Sequence, residues 1–278
     1  MCIRDSLEGV FSQLKANQRK ALVSYVVAGD PSPEGTVELL HQLVAAGADV
    51  LEVGVPFSDP MSEGVVIQQG HERALANGMT LRGVLQIVAE FREQDQSTPI
   101  VMMGYANPIE RFGYERFAAA GAEAGVDGLI TVDLPPEEVE RLESALHEHE
   151  LDNIFLISPT TPEDRIRTIV DRASGFIYYV AVKGVTGSGQ LNVTEVADRV
   201  SLIRNMTALP IAVGFGIKDA DSARAVAGVA DAVVVGSALI DQMVRAGSAD
   251  SSLDEIQIHQ TAVKLLQSIR EGVDSSRS

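Results

Sequence analysis

A glutamate lies inside an apolar run, Val50-Leu-Glu-Val-Gly-Val, where Glu52 is flanked by Leu51 and Val53. Side chains of an extended strand alternate between faces, so Val50, Glu52 and Gly54 share one. A carboxyl on a buried apolar face has its pKa raised toward neutrality, which suits a general acid/base. The competing reading is an outward glutamate paired with a helix Arg or Lys, because buried carboxyls are rare. The following residues favour the first: Pro56, Phe57, Ser58, Asp59 and Pro60 form a polar, turn-rich loop after the strand. Glu63 ends that loop and is a candidate second carboxylate. Taken alone, it is also an ordinary acid at a helix N-terminus, where the macrodipole favours it.

Three glycine-bearing segments could hold an anion: residues 184–190 (GVTGSGQ), 214–217 (GFGI) and 236–238 (GSA). Glycine lets backbone N–H groups approach an anion closely, and a following helix N-terminus adds partial positive charge. The segment with Gly214 and Gly216 is not a dinucleotide fingerprint, because Asp219 occupies the third glycine position. Other polar candidates carry less chemistry. His147 and His149 alternate with glutamates without a third metal ligand, and His41, His71 and His259 stand alone on helical segments. Lys183 begins a glycine loop, whereas a Schiff-base lysine belongs inside an apolar strand.

Eight short β-branched runs must position these residues: 22–27, 50–55, 99–104, 128–132, 153–157, 176–181, 211–214 and 232–235. Each is mostly continuous rather than alternating, as in parallel strands buried on both faces. Helical patterns separate them. Ser32 and Pro33 open one, Thr161 and Pro162 another, Pro136 a third, and Ser252 with Glu255 reads as a capping box before the last. Two helical patterns are extra to the alternation, at 7–14 and 65–77, and the glycine segment after the eighth run leads into further helix. These elements predict an α/β fold, a (β/α)8 TIM barrel with an extra N-terminal helix and extra helices after strands 2 and 8. A doubly wound open sheet is the alternative. The only repeat visible is the βα alternation. The whole of 1–278 reads as one domain; residues 1–6 (MCIRDS) join it poorly and read as non-native, and 273–278 as a disordered polar tail.

Charge and composition exclude whole classes. With 39 acidic against 22 basic residues, a net charge of −17 and a pI near 4.6, nucleic acid and anionic membranes are disfavoured. No apolar run approaches the ~20 residues that span a bilayer. The single Cys2 leaves neither a disulfide framework nor a cysteine metal site. No metal site is expected, and the absence of an export signal predicts a cytoplasmic protein.

Taken together, YVVAGDP (25–31), LEVGVPFSDP (51–60), GYANP (104–108), VDLPPE (132–137), IYYVAVKGVTG (177–187), GFGI and GSA closely resemble the tryptophan synthase alpha subunit family. The resemblance covers about residues 11–269. It implies retro-aldol cleavage of indole-3-glycerol phosphate to indole and glyceraldehyde 3-phosphate, in L-tryptophan biosynthesis. It further implies that Glu52 is the principal acid/base, protonating indole C3, and Glu63 the second acid, usually Asp. Tyr25, Tyr105, Ile130 and Tyr178 match substrate-binding positions, and Thr186 a loop threonine that closes toward the second acid. Gly187, Gly216, Gly236 and Ser237 match phosphate-binding backbone groups. No cofactor is implied; pyridoxal phosphate belongs to the beta subunit, the expected partner in an alpha2beta2 heterotetramer. The rim formed by Pro56, Phe57, Asp59, Asn107 and Pro108 is the expected contact with it.

Three departures stand out: Glu63 is a methylene longer than Asp, Val65 replaces a frequent Pro, and Ala181 a frequent Ser. None removes a required group. Two other functions compete: another phosphate-binding barrel lyase or isomerase, and a non-catalytic activator of a beta subunit. A basic residue in the lumen would favour the first, and none lies in the strands; an intact Glu52 argues against the second.

Overall fold

In a computed structural model of the protein, residues 6–181, 192–214, 216–250 and 252–277 are described. The chain runs α1 (Leu7–Ala16), β1 (Ala21–Val27), α2 (Pro33–Ala45), β2 (Val50–Gly54), α3 (Val65–Ala76), α4 (Leu81–Arg92), β3 (Ile100–Gly104), α5 (Ala106–Phe112), α6 (Tyr114–Ala124) and β4 (Gly128–Thr131). It continues α7 (Glu140–Glu148), β5 (Asp152–Ile157), α8 (Glu163–Val170), β6 (Ile177–Val180), α9 (Val193–Arg204), β7 (Ile211–Gly214), α10 (Ala220–Ala227), β8 (Ala232–Val235), α11 (Ser237–Ala249) and α12 (Glu255–Asp274). The strands pair in sequence order, all parallel, and β8 returns to β1 to close the barrel. Closure settles the choice against an open sheet.

Alternation along the strands separates two cores. Leu22, Val26, Leu51, Val53, Met102 and Val233 pack outward against the helices. Val23, Val50, Val101, Ile130, Ile154, Tyr178, Ala212 and Val234 fill the lumen. Leu7, Phe11 and Leu14 of α1 join that inner cluster, with the Phe11 and Phe176 rings 5.7 Å apart. Phe176 lies just before β6, so α1 closes the amino end of the barrel.

That amino end has a device repeated around the ring. Asp49, Asp127 and Asp231 each immediately precede an even-numbered strand. Each accepts the N–H that opens the preceding strand's pairing, from Leu22 (2.8 Å), Ile100 (2.8 Å) and Ile211 (3.0 Å). An arginine meets each acid: Arg270 with Asp49 at 2.9 Å, Arg92 with Asp127 at 2.8 Å and Arg204 with Asp231 at 2.9 Å. At β5 the hydroxyl of Ser174 takes the same part, accepting from Asn153 N–H at 2.9 Å. The chain therefore carries a repeat beyond the βα alternation.

Other expectations shift. The capping box of α12 is Asp254 with Gln257, not Ser252 with Glu255; Ser252 instead bonds Asp250 through its N–H and its hydroxyl. Pro136 does not open α7: Glu138 N–H bonds Pro135 C=O at 3.0 Å, so Pro136 serves a turn and the helix starts at Glu140. A pair of helices also follows β3, where Asn107 and Pro108 were expected in a rim loop. Pro108 sits in the first turn of α5, where its missing N–H costs nothing. The tail is not disordered from 273: α12 runs to Asp274, Val273 is buried, and Ser275–Arg277 makes a 3-10 turn. Ser6 caps α1, accepting from Gly9 N–H at 3.2 Å. Among the described residues, no helix is long and apolar enough to cross a membrane.

Candidate active site

Tyr25 and Glu52 are register partners on β1 and β2, so their side chains enter the lumen side by side. Glu52 is 1% exposed, and neither carboxyl oxygen has a hydrogen-bond partner among the described residues. Burial, and secondarily the nearby Glu63, push its pKa up to about 8. A buried carboxyl that no partner satisfies is costly to fold, and such sites are functional candidates.

Glu63 is also buried, and burial pushes its pKa to about 7. The loop that delivers it is held at several points. Val55 N–H bonds Met103 C=O at 2.8 Å, Ser62 N–H bonds the Tyr105 hydroxyl at 3.1 Å, and Gln68 Nε2 donates to Glu63 C=O at 2.8 Å. Phe57 stacks on Tyr105 with centroids 5.1 Å apart. Tyr105, expected at the substrate, thus grips the loop that carries the second acid. Burial pushes its hydroxyl to about 12.

Tyr25 and Tyr178 flank the carboxyls. Burial raises both hydroxyls, and the two glutamates add to the shift, so each tyrosine stays a neutral donor. Glycine makes room for them. A side chain at Gly54 would meet the Tyr25 hydroxyl at 2.5 Å, and one at Gly214 would collide with the Tyr178 hydroxyl. Ile130 completes the apolar wall, fully buried in the inner cluster.

Above this wall, Gly236 precedes α11, and no side chain among the described residues caps that helix, whose N-terminus could therefore receive an anion. A side chain at Gly236 would meet the Tyr25 ring at 2.8 Å, so this terminus adjoins the carboxyl site. Ser237 is the first residue of α11. Gly216 holds φ +82°, a conformation that suits glycine. Thr186 and Gly187 lie outside the described residues.

The rim divides. Pro56 is buried and Phe57 half-buried against Tyr105, while Asp59 and Asn107 are exposed and Pro108 half-buried. Met61 (72% exposed) is an apolar residue of this rim that sequence reasoning passed over, and Val65, noted there as a departure from Pro, is 65% exposed near it in the chain. His71, which stood alone on a helical segment in the sequence, is buried in α3 and reaches both the loop and Tyr25. Its contacts join three separate elements, so no local spacing signals it.

A family model described as tryptophan synthase alpha chain matches residues 11–270. The tryptophan synthase alpha chain of Marinobacter nauticus is 51% identical over 269 residues, spanning 97% of this chain and 98% of that protein. That of Thioalkalivibrio sulfidiphilus is 54% identical over 264 residues, spanning 95% and 97%. The crystal structure of tryptophan synthase subunit alpha from Legionella pneumophila str. Paris superposes with a TM-score of 0.88 at 45% identity, covering 97% of this chain and 98% of that one. With the closed barrel and the paired carboxyls at its mouth, these likenesses mean that the chain belongs to the tryptophan synthase alpha chain family.

Proposed function

We propose that the lumen catalyses the alpha reaction of tryptophan synthase, cleavage of indole-3-glycerol phosphate to indole and glyceraldehyde 3-phosphate, with Glu52 and Glu63 as its acids and bases. With Glu52 near 8 and Glu63 near 7, the first proton leaves Glu63. Near neutrality Glu52 mostly keeps its proton and about half of the Glu63 carboxyls are ionised; the reactive form is the one in which Glu63 carries the charge. Glu52 gives its proton to indole C3, and the Glu63 carboxylate stabilises the positive charge that develops on the ring N–H. The C3–C3′ bond then breaks, its electron pair returns to the ring, and the C3′ hydroxyl loses its proton to Glu52 as the aldehyde forms. Each proton that Glu52 gives is returned within the cycle.

Backbone N–H groups at Gly187, Gly216, Gly236 and Ser237 hold the phosphate, and Thr186 closes toward Glu63. A cradle of backbone dipoles binds it without cationic side chains, which suits a chain of net charge −17. Ile130 and the rings of Tyr25 and Tyr178 pack on indole. The reaction needs no cofactor or metal in this chain. The protein is cytoplasmic and assembles with a pyridoxal-phosphate beta subunit as an alpha2beta2 complex through its exposed rim.

The observation that carries this reading is Glu52, buried in an apolar lumen with both oxygens unpartnered among the described residues. Indole release from indole-3-glycerol phosphate tests it. Wild type turns over, and Glu52→Gln, which keeps shape but cannot exchange a proton, loses at least about a hundredfold, the lower end for general acid–base catalysis. Turnover within tenfold of wild type would remove Glu52 from the chemistry.

A further inference from the structure

The α3 helix works as a splint across the mouth of the barrel. Arg73 donates twice to Asp30 (2.7 and 2.8 Å), and Asn77 Nδ2 donates to Gly29 C=O (3.1 Å) and Pro31 C=O (2.7 Å). These contacts tie α3 to the loop after β1, and Gln68 ties it to Glu63. Between them His71 faces inward, 2% exposed.

The backbone N–H of Phe57 donates to His71 Nδ1 at 3.0 Å, and His71 Nε2 lies 3.4 Å from the Tyr25 hydroxyl. A nitrogen that accepts a hydrogen bond carries no proton, so the ring's single proton sits on Nε2. Nε2–H therefore donates to the Tyr25 oxygen. With that oxygen accepting from His71, the hydroxyl's own proton is left to donate elsewhere. Gly54 holds the hydroxyl against β2, on the strand face that carries Glu52. Burial pushes the imidazole down to about 4, which keeps it neutral at working pH. A second ring proton would oppose the Phe57 N–H.

We infer that His71 is a positioning residue: it fixes the direction of the Tyr25 hydroxyl in the lumen and ties that direction to the loop backbone at Phe57. This deepens the proposed reaction and rests on that reading. Tyr25 meets the reactants, and His71 acts through Tyr25. Because the same ring also holds the loop leading to Glu63, any shift of the rim at Phe57 reaches the lumen through two bonds.

A kinetic cycle tests this on the full chain, with His71→Leu, Tyr25→Phe and the double variant assayed for indole release. Each single variant should lower kcat about tenfold, the size of one hydrogen bond, with KM within about twofold. The double variant should be no slower than the slower single one, because both break the same link. Losses that multiply, or a His71→Leu kcat within twofold of wild type, would overturn the role. His71→Gln, which keeps one acceptor and one donor, should recover at least half of the lost kcat; recovery of none would count against the role. Should His71→Leu not fold, nitrogen NMR of ring-labelled histidine in the wild-type chain decides. A neutral Nε2–H tautomer from pH 6 to 8, perturbed in Tyr25→Phe, supports it, and an Nδ1–H tautomer overturns it. A wild-type chain that releases no indole would instead overturn the reading beneath.

Discussion

Two carboxyls that share one low-dielectric lumen resist being charged together, and their separation in pKa assigns them different work. The pair titrates at about 7 and about 8, with burial the main cause for both. The pH dependence of kcat/KM should therefore be a narrow bell. It falls below about 7 as Glu63 takes up its proton, and above about 8 as Glu52 loses its own. Glu63→Gln should abolish the acid limb and leave the basic one; an unchanged acid limb would assign it to another group. Stability carries the opposite signature. Glu52 is raised from 4.5 to about 8 on folding, so its contribution is fully present below 4.5 and is lost as pH rises toward 8. Glu52→Gln should thus stabilise the fold at pH 8 by on the order of a few kcal/mol, at about 1.4 kcal/mol per unit, and raise its thermal midpoint there, with little change of either at pH 5. Differential unfolding of the two chains at both pH values checks this. Glu52 was legible in the sequence because one charged letter interrupts an apolar strand; His71 was not, because its significance lies in the partners that folding gives it.

Among elements, the acids at the amino ends of β2, β4 and β8 each tie one strand to its neighbour. Arg92 and Asp127 are both nearly buried, and Arg92 also donates to the carbonyls of Gly125 and Thr98. Removing the acid breaks a nearly buried ion pair and the bond to Ile100 N–H, so Asp127→Ala should cost about 3–5 kcal/mol in denaturant unfolding. A cost under about 1 kcal/mol would make the pair ornamental. At the other end, Gly236→Val should both raise KM and lower stability, because its side chain would meet the Tyr25 ring as well as the anion site. Titration with glycerol phosphate alongside thermal unfolding separates the two effects. All eight strands fall within two residues of the runs read from sequence, since continuous β-branched stretches have few other uses. The helix after β3 escaped because a proline in a first turn reads like a loop. The Asp repeat escaped because a single aspartate before a strand says nothing until its acceptor role is seen.

The whole molecule is acidic, yet its loop after β2 exposes two apolar side chains, Met61 and Val65, near Asp59 in the chain. Exposed apolar side chains beside a rim already braced by Phe57 and Tyr105 favour docking, since little further ordering is needed on contact. Light scattering of an equimolar mixture with the cognate beta subunit should show one larger species at micromolar concentration. Met61→Asp should weaken that assembly about tenfold or more, as expected when a charge replaces an apolar interface residue. It should leave the thermal midpoint of the isolated chain unchanged. Separate species for the wild-type mixture would leave the chain as a stand-alone lyase.

The α1 plug has a kinetic consequence. With Leu7, Phe11 and Leu14 sealing the amino end beneath a lumen packed with side chains, the proposed site opens at the carboxyl mouth, and reactant and both products would share that doorway. Seating another protein on that doorway imposes an order of departure. If the phosphate binds at the glycine loops as proposed, the small apolar product would pass forward into whatever covers the mouth, while the phosphorylated aldehyde would wait until the cover lifts. Traffic through that doorway is therefore set from outside the barrel, by how long it stays covered.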